Sequence, residues 1–264
     1  MLNNGTIIVF LQSNMINLTK HKILLFSGMA FIFSGCDVLN HVTSVATSII
    51  PSEGEVANGL KEALIKGVSS GTSSLSQRNA FFADAAKKIL LPPEVQNLES
   101  KIRGNVILNA LIGNTLDKCV KAMNEGAENA MTKALPIFKN AVTGMSITDA
   151  MGILRGGQGS ATNFLEKSTT TALHSAFKPE ISSALNAVQI TEYWNPIVSN
   201  INNYKTLLGL KENINPDLNQ YVTEKASFAL FNEIRIQENA IRNNPIERST
   251  ALLKKVFDYA DTQK

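Results

Sequence analysis

A chain of 264 residues with 44% apolar and 18% charged side chains is long enough to bury a real core in one large or two small domains. Aromatics make up only 6%, which favours helices packed through aliphatic side chains over an aromatic-rich β sandwich. The formal charge is +3, but Met1–Gly35 carries Lys20 and Lys22 and no carboxylate, so without it 25 basic residues fall to 23 against 22 acidic ones. So even a balance argues against nucleic acid as a principal partner, which needs a concentrated basic surface.

The first forty residues read as an export signal. Lys20, His21 and Lys22 form a basic segment, and Ile23 to Phe33 is an apolar run short for a bilayer span. It ends at Phe33-Ser34-Gly35-Cys36, where small residues precede a cysteine as lipoprotein processing requires, with Phe33 standing where Leu is usual. The sequence therefore predicts a cleaved lipoprotein signal peptide over 1–35 and a diacylglycerol on Cys36. An ordinary secretory signal, or a buried helix that happens to precede a cysteine, is the alternative. Met15 gives a more conventional signal length than Met1, so translation is expected to start there. Residues 36–51, rich in Ser, Thr and Val and ending in Pro51, read as a tether. The address implied is the bacterial cell envelope, with the body periplasmic and held on a membrane by its N-terminal lipid.

From Ser52 to about residue 260 the patterning is helical. Ser52 and Glu55 form a capping box before Val56, Leu60, Ala63, Leu64 and Val68, a helix expected to reach about Ser70 and to break at Gly71–Ser76. Phe81 and Phe82 precede a short amphipathic piece. Leu90-Leu91-Pro92-Pro93 must be extended, and Pro93 starts a helix that Gly104 closes. A long helical stretch from Val106 to Met131 follows. There Ile112, Leu116, Cys119, Val120 and Met123 share one face, which makes Cys119 a buried, inert thiol. Pro136 kinks or restarts the run. Ser146 and Asp149 repeat the capping box before Met151, Ile153 and Leu154. Gly156-Gly157 are expected to end that helix in left-handed geometry, and Ser160 to cap the next. Pro179 suits the first turn of a helix carrying Ile181, Leu185 and Val188, with Tyr193 and Trp194 as anchors beyond it. Tyr204 to Pro216 reads as a loop-rich connection. Asn215-Pro216-Asp217 opens a helix with Ala226, Phe228, Leu230, Phe231 and Ile234 as apolar positions. Asn243-Asn244-Pro245 ends it, and Leu252, Leu253, Val256 and Phe257 stripe the last helix. The expected architecture is all-α: a single irregular bundle of about eight or nine helices.

Several stretches resemble a known family. These are Asp149-Ala150-Met151-Gly152-Ile153-Leu154-Arg155-Gly156-Gly157 leading to Ala161-Thr162-Asn163-Phe164, then Phe177-Lys178-Pro179, then Tyr221-Val222-Thr223-Glu224-Lys225-Ala226 with Asn244-Pro245 and Leu252 to Phe257. Together, across roughly Ser52 to Phe257, they resemble the bacterial family called domain of unknown function 4197. The resemblance implies an exported, mostly helical protein, often a lipoprotein, and brings no activity, cofactor or catalytic residue.

Among candidate sites the sharpest is the turn containing Arg155, Gly156, Gly157, Ser160 and Thr162, where glycines beside a cation lead into a helix N-terminus. Such a turn can hold an anion on backbone N–H groups, although it lacks the lysine of a phosphate-binding Walker loop, and a plain helix-to-helix connection accounts for the same residues. His174 is the one histidine of the body, since His21 lies in the signal and His41 in the tether. That excludes a multi-imidazole metal site, and no metal or other cofactor is expected. Paired with Ser168 or Ser175 it could imitate part of a hydrolase dyad, though no nucleophile elbow is present. Glu166, Glu192, Glu224, Glu233 and Glu238 read as solvated, as do Arg235, Arg242, Arg248, Lys254 and Lys255. The sequence thus points to an envelope lipoprotein that binds a small amphipathic molecule or an envelope protein partner. An envelope hydrolase using His174 with a hydroxyl or carboxylate is the competing reading.

Overall fold

Ser52 opens the helical body. In the computed structural model, which describes residues 50–262 apart from 105, 107, 108, 204, 207–210 and 216, its hydroxyl accepts from the Glu55 N–H and the Glu55 carboxylate accepts from the Ser52 N–H. The signal, the proposed start at Met15, Cys36, His41 and nearly all of the tether lie outside the described residues. The helices are α1 (Glu53–Leu75), α2 (Pro93–Gly104), α3 (Asn114–Met131), α4 (Ala134–Thr143), α5 (Ile147–Arg155), α6 (Ser160–Ala187), α7 (Ile190–Asn203), α8 (Leu218–Asn243) and α9 (Ala251–Asp261). Seven of them, rather than the expected eight or nine, are described in every side chain. Among the described residues there is no strand, and no helix is long and apolar enough to cross a membrane.

The long helices α6 and α8 form the centre. α6 packs against α3 and α8, which also touch each other, while α1 packs across α8 and receives α4, α5 and α9. Phe138 of α4 meets Phe231 of α8 edge to face, with ring centroids 5.9 Å apart. Leu165, Leu173, Phe177, Ile181 and Leu185 run down the buried side of α6. Trp194 and Val198 anchor α7 in the same core. Cys119 is buried on α3, and desolvation pushes its thiol pKa up to about 12, so it remains an unreactive core group.

Several local expectations change when packing is seen. α1 does not break at Gly71 but continues to Leu75. A Cβ at Gly71 would meet Cγ of Glu233 at 3.4 Å, an ordinary contact in the α1–α8 seam, and the Thr72 hydroxyl donates back to the Val68 carbonyl. The segment after α1 is a chain of turns around Phe81 and not a helical piece. Its backbone is held from α3: Glu128 accepts from the N–H groups of Asn79 and Phe81, and Asn124 bonds both the N–H and the carbonyl of Ile89. That seating buries Phe81 completely, an apolar burial contributing about 1.5–3 kcal/mol. Pro93 does begin α2, and the helical stretch expected from Val106 to Met131 passes through a wider π-helical turn over Asn109–Gly113 before α3.

Pro179 lies inside α6 rather than at a helix start. It sits on the exposed side, so the carbonyl deprived of its N–H partner can be hydrated and the helix runs through. Phe228, one of the apolar positions of α8, is 73% exposed. It falls two residues from both Ala226 and Leu230, about 200° around a 3.6-residue helix from each. The two ends of the connection before α8 are tied by Asn202, which bonds both the N–H and the carbonyl of Ile214, and Asp217 caps α8 by accepting from the Gln220 N–H.

Candidate functional site

The turn between α5 and α6 is built by two helix ends that nearly touch. Ser146 and Asp149 cap α5 reciprocally as the spacing predicts, and the hydrogen bonds from Ser146 hold the Asp149 carboxyl below its usual pKa. At the far end Gly156 is right-handed, and the left-handed residues are Gly157 (φ 77°) and Gly159 (φ 76°). Gly159 also lies against Arg235, whose guanidinium would be 2.7 Å from an added Cβ.

Ser160 is not the cap of α6. It occupies the first helical position, and its hydroxyl donates to the carbonyls of Ile153 and Gly157. The capping group is Glu238 of α8, which accepts from the N–H groups of Ala161 (3.1 Å) and Thr162 (2.9 Å) and from the Thr162 hydroxyl (2.7 Å). These are the second and third helical residues, the donors that a local cap would satisfy. The place for an anion at this helix start is therefore filled by the protein's own carboxylate.

Arg242, one turn on, completes the junction. It donates to Glu238 (2.9 Å), to the carbonyls of Ile153 and Leu154 at the end of α5, and to the Ser160 hydroxyl. A buried ion pair thus closes two helices at once, carboxylate at the positive end of α6 and guanidinium at the negative end of α5. Arg248 repeats the device: it donates to the carbonyls of Ile241 and Arg242 at the end of α8 and pairs with Asp258 and Asp261 of α9. The ring of Phe257 lies within 6.0 Å of the Arg242 guanidinium and 5.7 Å of that of Arg248. Glu238, Arg242 and Arg248 are exposed by only 8%, 8% and 4%, which corrects their reading as solvated charges. Glu233 is likewise buried. The i,i+4 spacing of Glu238 and Arg242 was visible in the sequence, but it is also the spacing of ordinary surface pairs.

Beside this junction lies a cleft of about 610 Å³ between the α5–α6 turn and the last turns of α8 and α9. Met151, Leu154, Phe257 and Tyr259 give it apolar surface, and Arg155 and Asp261 give it charge. Arg155 is exposed, and among the described residues no hydrogen bond or ion pair holds it. Arg242 and Phe257 also border a nook of about 20 Å³ against α1, room for about one water and no larger guest. Of the turn residues singled out in the sequence, Arg155 and Gly157 line the cleft, while Ser160 and Thr162 are engaged in the junction.

His174 is half-buried on α6, the helix that also carries Ser168 and Ser175. Those hydroxyls donate to the carbonyls of Phe164 and Thr171, within their own helix. Ser175, adjacent in sequence, is about 100° around the helix from His174, and Ser168, six residues back, projects from another face. No group of three metal-ligating side chains occurs among the described residues.

Compared with known families, the model of a protein of unknown function, DUF4197, matches residues 51–258. The chain belongs to this family. The match runs from before α1 into α9, so the DUF4197 unit includes Glu238, Arg242 and Arg248, while Tyr259, Ala260 and Asp261 of the cleft wall lie beyond it. No curated protein and no solved structure matches the chain.

Proposed function

We propose that this DUF4197 protein is a non-enzymatic lipoprotein of the bacterial envelope, anchored through Cys36, whose helical body binds a small molecule in the cleft beside the α5–α6 turn. The cleft is the observation that carries the binding role. Its volume falls within the range of ligand sites, and apolar walls with a few placed charges are the usual make-up of such sites. Its floor is stiff, because Arg242 and Phe257 are fixed by the buried junction, and a preorganised wall lowers the ordering cost of binding. The anchor rests on the basic segment, the apolar run and the small residues before Cys36. Several acyl chains at about 0.8 kcal/mol per buried CH₂ hold a protein on a membrane without a spanning helix.

Two measurements test the halves separately. Cys36→Ser should move the protein from the membrane pellet to the soluble fraction, and equal pelleting of variant and wild type contradicts the anchor. Native mass spectrometry of the full chain should release a small molecule from wild type that is missing from Gln158→Trp, a substitution of an exposed residue lining the cleft. No released molecule, or the same one from both chains, contradicts the binding role.

A further inference from the structure

Charge accounting inside the cleft narrows the ligand class. Three charged side chains line it: Arg155, Arg242 and Asp261. Arg242 is neutralised by Glu238 at 2.9 Å and spends its other donors on two carbonyls and a hydroxyl. Arg248 pairs with both Asp261, at 2.6 Å, and Asp258, so that group keeps one net negative charge. Arg155 alone among these three has no described partner, so its guanidinium is the charged group of the cleft still open to a guest, and it stands beside apolar surface.

We infer that the cleft takes an amphipathic monoanion, with its carboxylate, sulfonate or phosphate-ester group on Arg155 and its apolar or aromatic body between Met151, Leu154 and Phe257. Two features make Arg155 a better anion holder than the start of α6. Glu238 already occupies the N–H groups of Ala161 and Thr162, and its charge repels a second anion there. A guanidinium presents a planar fork that matches an oxyanion in two hydrogen bonds and stacks on aromatic faces, which suits a site also lined by Phe257 and Tyr259. The surplus negative charge that Asp258 and Asp261 leave on Arg248 disfavours a dianion, so a single negative charge is favoured over two.

This inference rests on the proposed binding role, and one experiment separates the two. Full chain in a fixed detergent concentration is titrated with anilinonaphthalene sulfonate, an aromatic monoanion, and with N-phenylnaphthylamine, its uncharged analogue. Wild type, Arg155→Gln and Gln158→Trp are compared so that partition into detergent cancels. Loss of a charge-assisted contact should weaken the sulfonate on Arg155→Gln by about tenfold or more, leave the amine unchanged, and Gln158→Trp should weaken both. Equal sulfonate binding to wild type and Arg155→Gln overturns the anion assignment, and if Gln158→Trp still weakens both probes the cleft remains a binding site. Unchanged binding of both probes to Gln158→Trp overturns the cleft itself.

Discussion

Two helix starts in this protein are closed by a glutamate, and they differ in everything except the chemistry. At α1 the carboxylate of Glu55 returns three residues to Ser52, in the open, with Lys255 at 2.8 Å. At α6 the carboxylate of Glu238 comes from another helix, 76 and 77 residues away, and is buried with Arg242. The first is a local device that helps one helix begin. The second fastens three helices together, because its pair also closes the end of α5. The same hydrogen bonds therefore carry different weight, since a desolvated charge left without its partner costs far more than an exposed one.

Breaking the α6 closure should show the largest effect. Glu238→Ala leaves Arg242 buried and unpaired, and a loss of about 3–5 kcal/mol is expected from urea unfolding. Removing both charges with Glu238→Ala/Arg242→Met should cost less than the two single changes summed, and simple additivity would show that the pair is not coupled. At α1 the expected loss is smaller, about 1 kcal/mol for Ser52→Ala. A loss there equal to that of Glu238→Ala would erase the contrast.

The smallest effect separates the two caps by pH. Lys255 first, then the N–H and hydroxyl of Ser52, hold the Glu55 carboxyl down at about 2 against 4.5 in the unfolded chain. A depressed carboxylate contributes stability that is complete above pH 4.5 and is lost as pH falls through 2. The stability difference between wild type and Glu55→Gln should accordingly vanish across that interval. A difference that persists unchanged at pH 2 contradicts this assignment.

The contrast also explains what the sequence made legible. Ser52 with Glu55 and Ser146 with Asp149 are readable because cap and helix share four residues, and the α-helical class follows from apolar spacing along each helix. Glu238 as the cap of α6 leaves no local trace. Its sequence neighbours place it on a helix with Arg242 four residues on, a pattern that solvated pairs share. Gly71 reads as a stop because glycines often end helices, and only its burial against Glu233 of α8 shows that α1 runs through it. Pro179 reads as a start because the exposed side of α6, where a lost hydrogen bond is tolerable, is set by tertiary packing. The cleft was half visible: Arg155 and Gly157 stood out as a turn, but Phe257, Tyr259 and Asp261 reach it from a helix about a hundred residues later.

The central claim is that the anion place at the start of α6 is filled from within by Glu238, leaving external anions to Arg155. Emptying that place tests it most directly. In Glu238→Ala, sodium formate should raise the thermal unfolding midpoint beyond what sodium chloride of equal ionic strength does, because formate can reoccupy the N–H groups of Ala161 and Thr162 beside Arg242, while wild type should show no such excess. Equal formate effects in both chains would contradict the account.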